Sequence, residues 1–185
     1  VAGTTMSKAG DSPWWNEPQY DYTISLNPDI VLIKLGTNDS KASNWKPANF
    51  MTDYIELIQE LRALPSHPTI YMVTPAKAYS SAWGINDNTI VSQVIPYIHL
   101  IAFENAVNVI DMYNATSMMS SNFPDGIHPN AEGAKVIAQK AKQNLINAKP
   151  MITQVDITSD STENPLCHWY YNDTPIDGSN FRSIT

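Results

Sequence analysis

The sequence predicts an α/β fold of the doubly wound, flavodoxin-like kind: a parallel sheet between two helical layers. Three observations carry this expectation. Short apolar runs end in turn residues, amphipathic stretches lie between them, and the two kinds of segment alternate along the chain. The chain has 185 residues, 43% of them hydrophobic and 16% charged, which is room for one domain of about 150 residues and a short appendage.

Ile30-Val31-Leu32-Ile33-Lys34-Leu35 is an apolar run with one Lys, closed by Gly36-Thr37-Asn38-Asp39, as befits a strand buried on both faces. Thr69 to Val73, ending at Pro75, and Val107 to Met112 are two more. Between them Phe50, Tyr54, Leu57, Ile58 and Leu61 recur at spacings of three and four, and so do Ile90, Val91, Val94, Ile95, Ile98 and Ile101. Both read as amphipathic helices, the second kinked at Pro96. A third helix runs from Ala131 to about Ala148, with Asn130 as its N-cap. In a β-α-β-α-β-α order of this kind the binding crevice lies at the carboxyl ends of the strands.

Residues 1–149 form this domain, and after Lys149-Pro150 the texture changes. Met151 to Thr158 alternates in part and is followed by Ser, Thr, Asn, Asp and Pro, so residues 150–185 read as a linker and the start of a β-rich module of immunoglobulin-like kind. About 35 residues are too few for an independent sandwich of about 100. The tail therefore either packs onto the first domain or begins a further one.

Composition removes several functions. Lys+Arg total 11 against Asp+Glu 18, a formal charge of −7, which leaves no electrostatic footprint for nucleic acid. No apolar run approaches the roughly 18 residues of a membrane span. Cys167 is the only cysteine, which excludes an intramolecular disulfide framework and a multi-cysteine zinc site. The first residue is Val1, and no secretory leader follows it.

Asp125-Gly126-Ile127-His128-Pro129-Asn130 sets a carboxylate three residues before an imidazole, in a loop that leads into the last helix. Acyl transfer from a hydroxyl needs a base near neutrality, and a carboxylate on the far ring nitrogen fixes its tautomer. Asn38 stands where a strand ends, so its amide is a candidate donor to a developing oxyanion. Asp39 beside it reads as a cap of the following segment, and Asp111 merely ends a strand. His67, His99 and His168 lie in contexts that suggest no catalysis.

Gly36-Thr-Asn-Asp39 after a strand, then β-α-β-α-β, then Phe123-Pro-Asp-Gly-Ile-His-Pro-Asn-Ala-Glu-Gly-Ala134 resembles the SGNH hydrolases, or GDSL-like lipases and acylhydrolases, over roughly residues 1–147. The resemblance implies Asn38 and the Gly3 backbone N–H, in Val1-Ala-Gly-Thr-Thr-Met6, as oxyanion donors. It implies His128 as base and Asp125 as its orienter. It also implies a nucleophilic Ser on the first strand, ahead of the glycine block.

Gly10-Asp11-Ser12 spells the family's signature tripeptide but follows Gly3, and no apolar strand precedes it; Ser12 reads as a Gly-Asp-Ser-Pro surface turn and a weak nucleophile candidate. The Ser, its helix and most of a second strand are then expected upstream of Val1, in about 40 or more residues of the same or another chain. Without them the Ile30 strand becomes an edge, an aggregation template.

The expected activity is a serine esterase that cleaves short acyl esters, O-acetyl above all, on carbohydrate, with neither metal nor cofactor. Trp14, Trp15 and Trp83 are the candidate sugar platforms, and Trp45 is a further loop tryptophan. A secreted or extracytoplasmic location goes with such a substrate. The alternative is an SGNH fold without its nucleophile, acting as a carbohydrate-binding or assembly module. Sequons at Asn38, Asn114 and Asn172 discriminate little between them.

Overall fold

The computed structural model describes residues 2–146, together with 156–158, 166–168, 170–171 and 174–175. The chain divides into two compact units, Val1–Asn144 and Leu145–Thr185.

The first unit is built on β1 (Ile30–Ile33), β2 (Thr69–Val73) and β3 (Asn108–Ile110). They pair in parallel in the order β1-β2-β3, with Ile30 opposite Thr69 and Tyr71 opposite Asn108. The strands are shorter than the apolar runs that announce them. Lys34 and Leu35 leave the ladder because Gly36 turns the chain at φ 120°, and a Cβ there would stand 2.8 Å from Val94 Cγ1.

Helix α1 (Pro18–Ser25) precedes β1 and is absent from the sequence reading. It has no buried residue and hence no apolar stripe to betray it; what starts it is a proline in its first turn. Helix α2 (Pro47–Arg62) follows the expected periodicity and buries Phe50, Tyr54, Leu57, Ile58 and Leu61. The expected second helix is composite. A short α3 (Asp87–Thr89) runs into a π-helical stretch, Ile90–Val94, and then into α4 (Ile95–Glu104). Pro96, which has no N–H to donate, sits in the first turn of α4 just after the π stretch, so the irregularity is a widened turn rather than a simple kink.

Helix α5 (Met112–Thr116) is capped by Asp111, whose carboxylate accepts from the Asn114 N–H at 3.0 Å. Helix α6 (Ala131–Ile146) is capped as expected, the Gly133 N–H reaching Asn130 Oδ1 at 3.0 Å. Ile137 on it is half-buried, and Ala134 and Ala138 are exposed.

Core packing joins Ile33, Ile70 and Met72 of the sheet to Phe50, Tyr54, Leu57 and Leu61 of α2 and to Ile98 and Ile101 of α4. Among the described residues β1 has β2 on one side only, as expected for an edge strand, and Ile30 and Leu32 are 50% and 39% exposed. A groove beside it is lined by Trp14, Tyr20, Ile24, Val31 and Leu57.

Among its described residues the second unit has two antiparallel pairs, β4 (Asp156–Thr158) with β5 (Leu166–His168) and β6 (Tyr170–Tyr171) with β7 (Thr174–Pro175). The expected linker and the larger part of the expected β-rich module lie outside the described residues.

Gly36→Ala tests the turn that ends β1. Both the φ value and the Val94 contact oppose a methyl group, so the urea midpoint is expected to fall by the equivalent of about 1–3 kcal/mol. An unchanged midpoint would show that the turn relaxes freely.

Candidate active site

In a parallel sheet all three strands end on one side, so the loops that follow them meet there. The β1 loop brings Thr37 and Asn38, the β2 loop brings Ala76 and Trp83, and the loop before α6 brings Ile127 and His128. With Ala2 and Gly3 they line a cleft of about 460 Å³.

Asp125 is the organising group of its loop. Its Oδ1 accepts from the backbone N–H of Ile127 at 2.8 Å and of His128 at 2.7 Å, while Oδ2 lies 2.8 Å from His128 Nδ1. Three donors on one carboxylate explain why Asp125 is held down at about 2: the two backbone bonds weigh most, and the imidazole adds to them. The same contact makes Nδ1 the protonated nitrogen of neutral His128 and leaves Nε2 as a lone pair for a proton. Gly126, at φ 83°, makes the turn between them, and no Cβ would fit there because Ser80 Cβ is 2.5 Å away.

The dyad loop is tied to the β2 loop. The Tyr79 N–H donates to the Gly126 carbonyl at 2.7 Å, and the Ser80 hydroxyl donates to the Asp125 carbonyl at 2.8 Å. Farther along the β2 loop, Asp87 accepts from the Lys77 ammonium at 2.7 Å and from the Ala78 N–H at 3.0 Å, which closes the base of the loop that projects Trp83. Tyr113 joins the cluster, its hydroxyl 3.0 Å from Lys77 Nζ. Asp87 and Tyr113 together raise the Lys77 pKa above the ordinary lysine value, Asp87 being the larger cause.

Asn38 lines the cleft, and among the described residues its side-chain amide has no hydrogen-bond partner. Its carbonyl accepts from the Asn44 side chain at 3.0 Å, which steadies the backbone while leaving the amide free. Gly3, at φ 86°, has open space where a Cβ would stand, so conformation rather than crowding calls for glycine.

The tryptophans separate. Trp83 is 62% exposed at the cleft, with a ring centroid 5.2 Å from that of His128 and a backbone at φ 55°. Trp14 lines the groove beside β1 instead, and Trp15 packs against the core with its indole N–H on the Met6 carbonyl at 2.9 Å and the Lys8 ammonium 4.0 Å over its ring. The structure thus corrects the expectation for Trp14 and Trp15, which do not line the cleft: residues 5–14 double back as Thr5 pairs with Pro13, and Trp15 turns inward. Ser12 does not line the cleft either. Its carbonyl accepts from the Thr5 N–H at 2.8 Å, and Asp11 is held by Asn44 and Lys41, so the Gly-Asp-Ser tripeptide forms a structural turn.

Asp39 also differs from expectation. It is fully buried and accepts from the Met6 N–H at 2.9 Å and the Ser7 N–H at 2.8 Å. The sequence places these partners more than thirty residues apart, which is why local reasoning assigns a cap. No group of three or more His, Cys, Asp or Glu among the described residues is arranged to hold a metal ion. No helix among them is long and apolar enough to cross a membrane.

The profile of the GDSL-like lipase/acylhydrolase family matches residues 2–136. The chain belongs to that family. It is similar to an acetylxylan esterase of Xylanibacter ruminicola, with 34% identity over 160 residues that make up 75% of this chain and 33% of that protein. A multidomain esterase of Ruminococcus flavefaciens is 32% identical over 117 residues, 61% of this chain and 15% of the other. The chain therefore spans only a third or less of these curated relatives. The crystal structure of an acetylxylan esterase from Geobacillus stearothermophilus shares the fold, with a TM-score of 0.57, 18% identity and coverage of 74% of this chain and 67% of that one.

Asp125 gives the site a pH signature. Because its folded pKa is depressed to about 2 from 3.8, the stability it contributes is present above about pH 4 and lost as pH falls through 2. Titration of its carboxyl carbon by NMR is expected to show this low midpoint, and a midpoint near 4 would mean that the three hydrogen bonds do not persist in solution.

Proposed function

We propose that this domain hydrolyses acetyl esters on carbohydrate through an acyl-enzyme. The observation that carries the reading is His128, held by Asp125, lining the same cleft as the Asn38 amide, which has no hydrogen-bond partner among the described residues. The names of the relatives supply the substrate class, and the exposed Trp83 beside His128 suits the flat face of a sugar. A polysaccharide substrate places the protein outside the cytoplasm.

His128 Nε2 takes the proton of a serine hydroxyl as its oxygen attacks the ester carbonyl, while Asp125 steadies the imidazolium that forms. The Asn38 amide and the Gly3 N–H receive the oxyanion. Collapse expels the sugar alkoxide, which takes the proton back from His128. Water, deprotonated by the same nitrogen, then releases acetate and frees the serine.

Among the described residues no serine hydroxyl is hydrogen-bonded to His128. We place the nucleophile on a strand that pairs with the free edge of β1, where Ile30 and Leu32 are exposed and the groove lined by Trp14 and Val31 awaits cover. The same observation favours the second reading, a family fold that binds acetylated carbohydrate without cleaving it.

The deciding measurement is labelling of the full-length natural protein with a fluorophosphonate serine probe, followed by peptide mapping. Label on a serine outside residues 1–185 is expected, and folded protein with no label would favour the binding module. In the active protein Asn38→Ala is expected to lower kcat about 10²–10³-fold. Trp83→Ala is expected to raise KM for an acetylated xylo-oligosaccharide several-fold and to leave KM for p-nitrophenyl acetate unchanged. Equal effects on both substrates would remove Trp83 from sugar binding.

A further inference from the structure

The Asn38 loop and the Gly3 segment come from distant parts of the sequence, yet an oxyanion site needs them in register to within a fraction of an ångström. Backbone pairing ties the Gly3 segment to residues 12–14, as when the Thr5 N–H donates to the Ser12 carbonyl, and this pairing does not set that register. The Asp39 side chain spans the gap directly. Asp39 is the residue after Asn38, its exposure is 0%, and its two oxygens accept from Met6 and Ser7, three and four residues after Gly3. We infer that Asp39 is a positioning residue for the oxyanion donors, its carboxylate fixing the Gly3 segment against the loop that carries Asn38. This rests on the esterase reading for its consequence, though not for its geometry.

The surrounding contacts fit a clamp rather than a chance contact. The next amide, Lys8 N–H, donates to Asp53 Oδ2 on α2 at 2.7 Å, so three successive backbone donors are taken by two carboxylates. The Thr5 hydroxyl donates to the Ser7 carbonyl at 2.9 Å and curls the segment towards them. The Met6 side chain is fully buried in the core, so the segment is held from both ends of that residue.

An ionised carboxylate is the group this geometry calls for. Two converging N–H donors require two acceptors, and an asparagine in the same place would turn an NH₂ towards one of them. The choice is costly. Burial above all, with a smaller push from the Asp53 charge on α2, raises the Asp39 pKa to about 6 despite the backbone bonds that lower it. The other titratable group facing it from α2 is Tyr54, whose hydroxyl donates to the Ile33 carbonyl. The Lys8 ammonium gives no neutralisation there, since it pairs with Glu56 at 2.6 Å and covers Trp15.

Protonation of Asp39 replaces one acceptor by a donor and frees one of the two amides, and the Gly3 segment then loosens relative to Asn38. The test is an ¹⁵N NMR titration of the full-length protein between pH 4.5 and 8, in a His128→Gln background so that the imidazole does not contribute. The Met6 and Ser7 amides are expected to titrate with a midpoint near 6, and the Gly3 amide and Asn38 side-chain amide to follow with the same midpoint. Movement of Met6 and Ser7 with Gly3 and Asn38 flat would overturn the inference.

With His128 intact, Asp39→Asn is expected to lower kcat for p-nitrophenyl acetate about 10–100-fold with KM within about twofold, and Asp53→Asn, one residue farther from Gly3, to do so less. A folded Asp39→Asn protein with wild-type kcat would also overturn it. Co-titrating amides in a chain without esterase activity would support the clamp and overturn the esterase reading instead. Should Asp39→Asn fail to fold, the titration, which keeps Asp39, still decides.

Discussion

Two buried carboxylates hold the N-terminal segment of this domain to its sheet. Asp39 and Asp53 accept three consecutive backbone amides in a part of the protein where no strand pairing with the sheet does so. With a folded pKa near 6 against 3.8, Asp39 favours the native state most when protonated, and that contribution is lost as pH rises through 6. At neutral pH the fold carries a desolvated charge, a strain of the kind found where placement matters more than stability.

The same economy recurs around the cleft. Asp125 gathers two backbone amides and an imidazole, and Asp87 gathers an amide, an ammonium and a phenol. Each is a short acceptor that replaces regular secondary structure in a loop. The Tyr79–Gly126 and Ser80–Asp125 bonds then join two of these loops, so that Trp83 and His128 form one unit at the C-terminal ends of the strands. A site made of loops gains rigidity from charged acceptors because a carboxylate binds several donors at once, and such bonds are roughly twice as strong as neutral ones.

Much of this was legible beforehand, for identifiable reasons. The strands at Ile30 and Thr69, the helix carrying Phe50 to Leu61 and the cap at Asn130 follow from periodicity and local hydrogen bonding. The Asp125–His128 contact was legible too, because three residues of turn bring carboxylate and imidazole together whatever surrounds them. Helix α1 was not, since its residues lack an apolar stripe. Nor was the π stretch ahead of Pro96, which depends on how α4 meets the sheet.

What the sequence by itself determined is the alternation of elements, the parallel sheet and the Asp125–His128 contact, all consequences of interactions over a few positions. Tertiary structure alone decided that Trp83 and not Trp14 or Trp15 faces the cleft, and that Asp39 serves the Gly3 segment rather than its own. The Asp39–Met6 and Trp83–His128 contacts join residues 33 and 45 positions apart, and no local pattern encodes which distant group a side chain will meet.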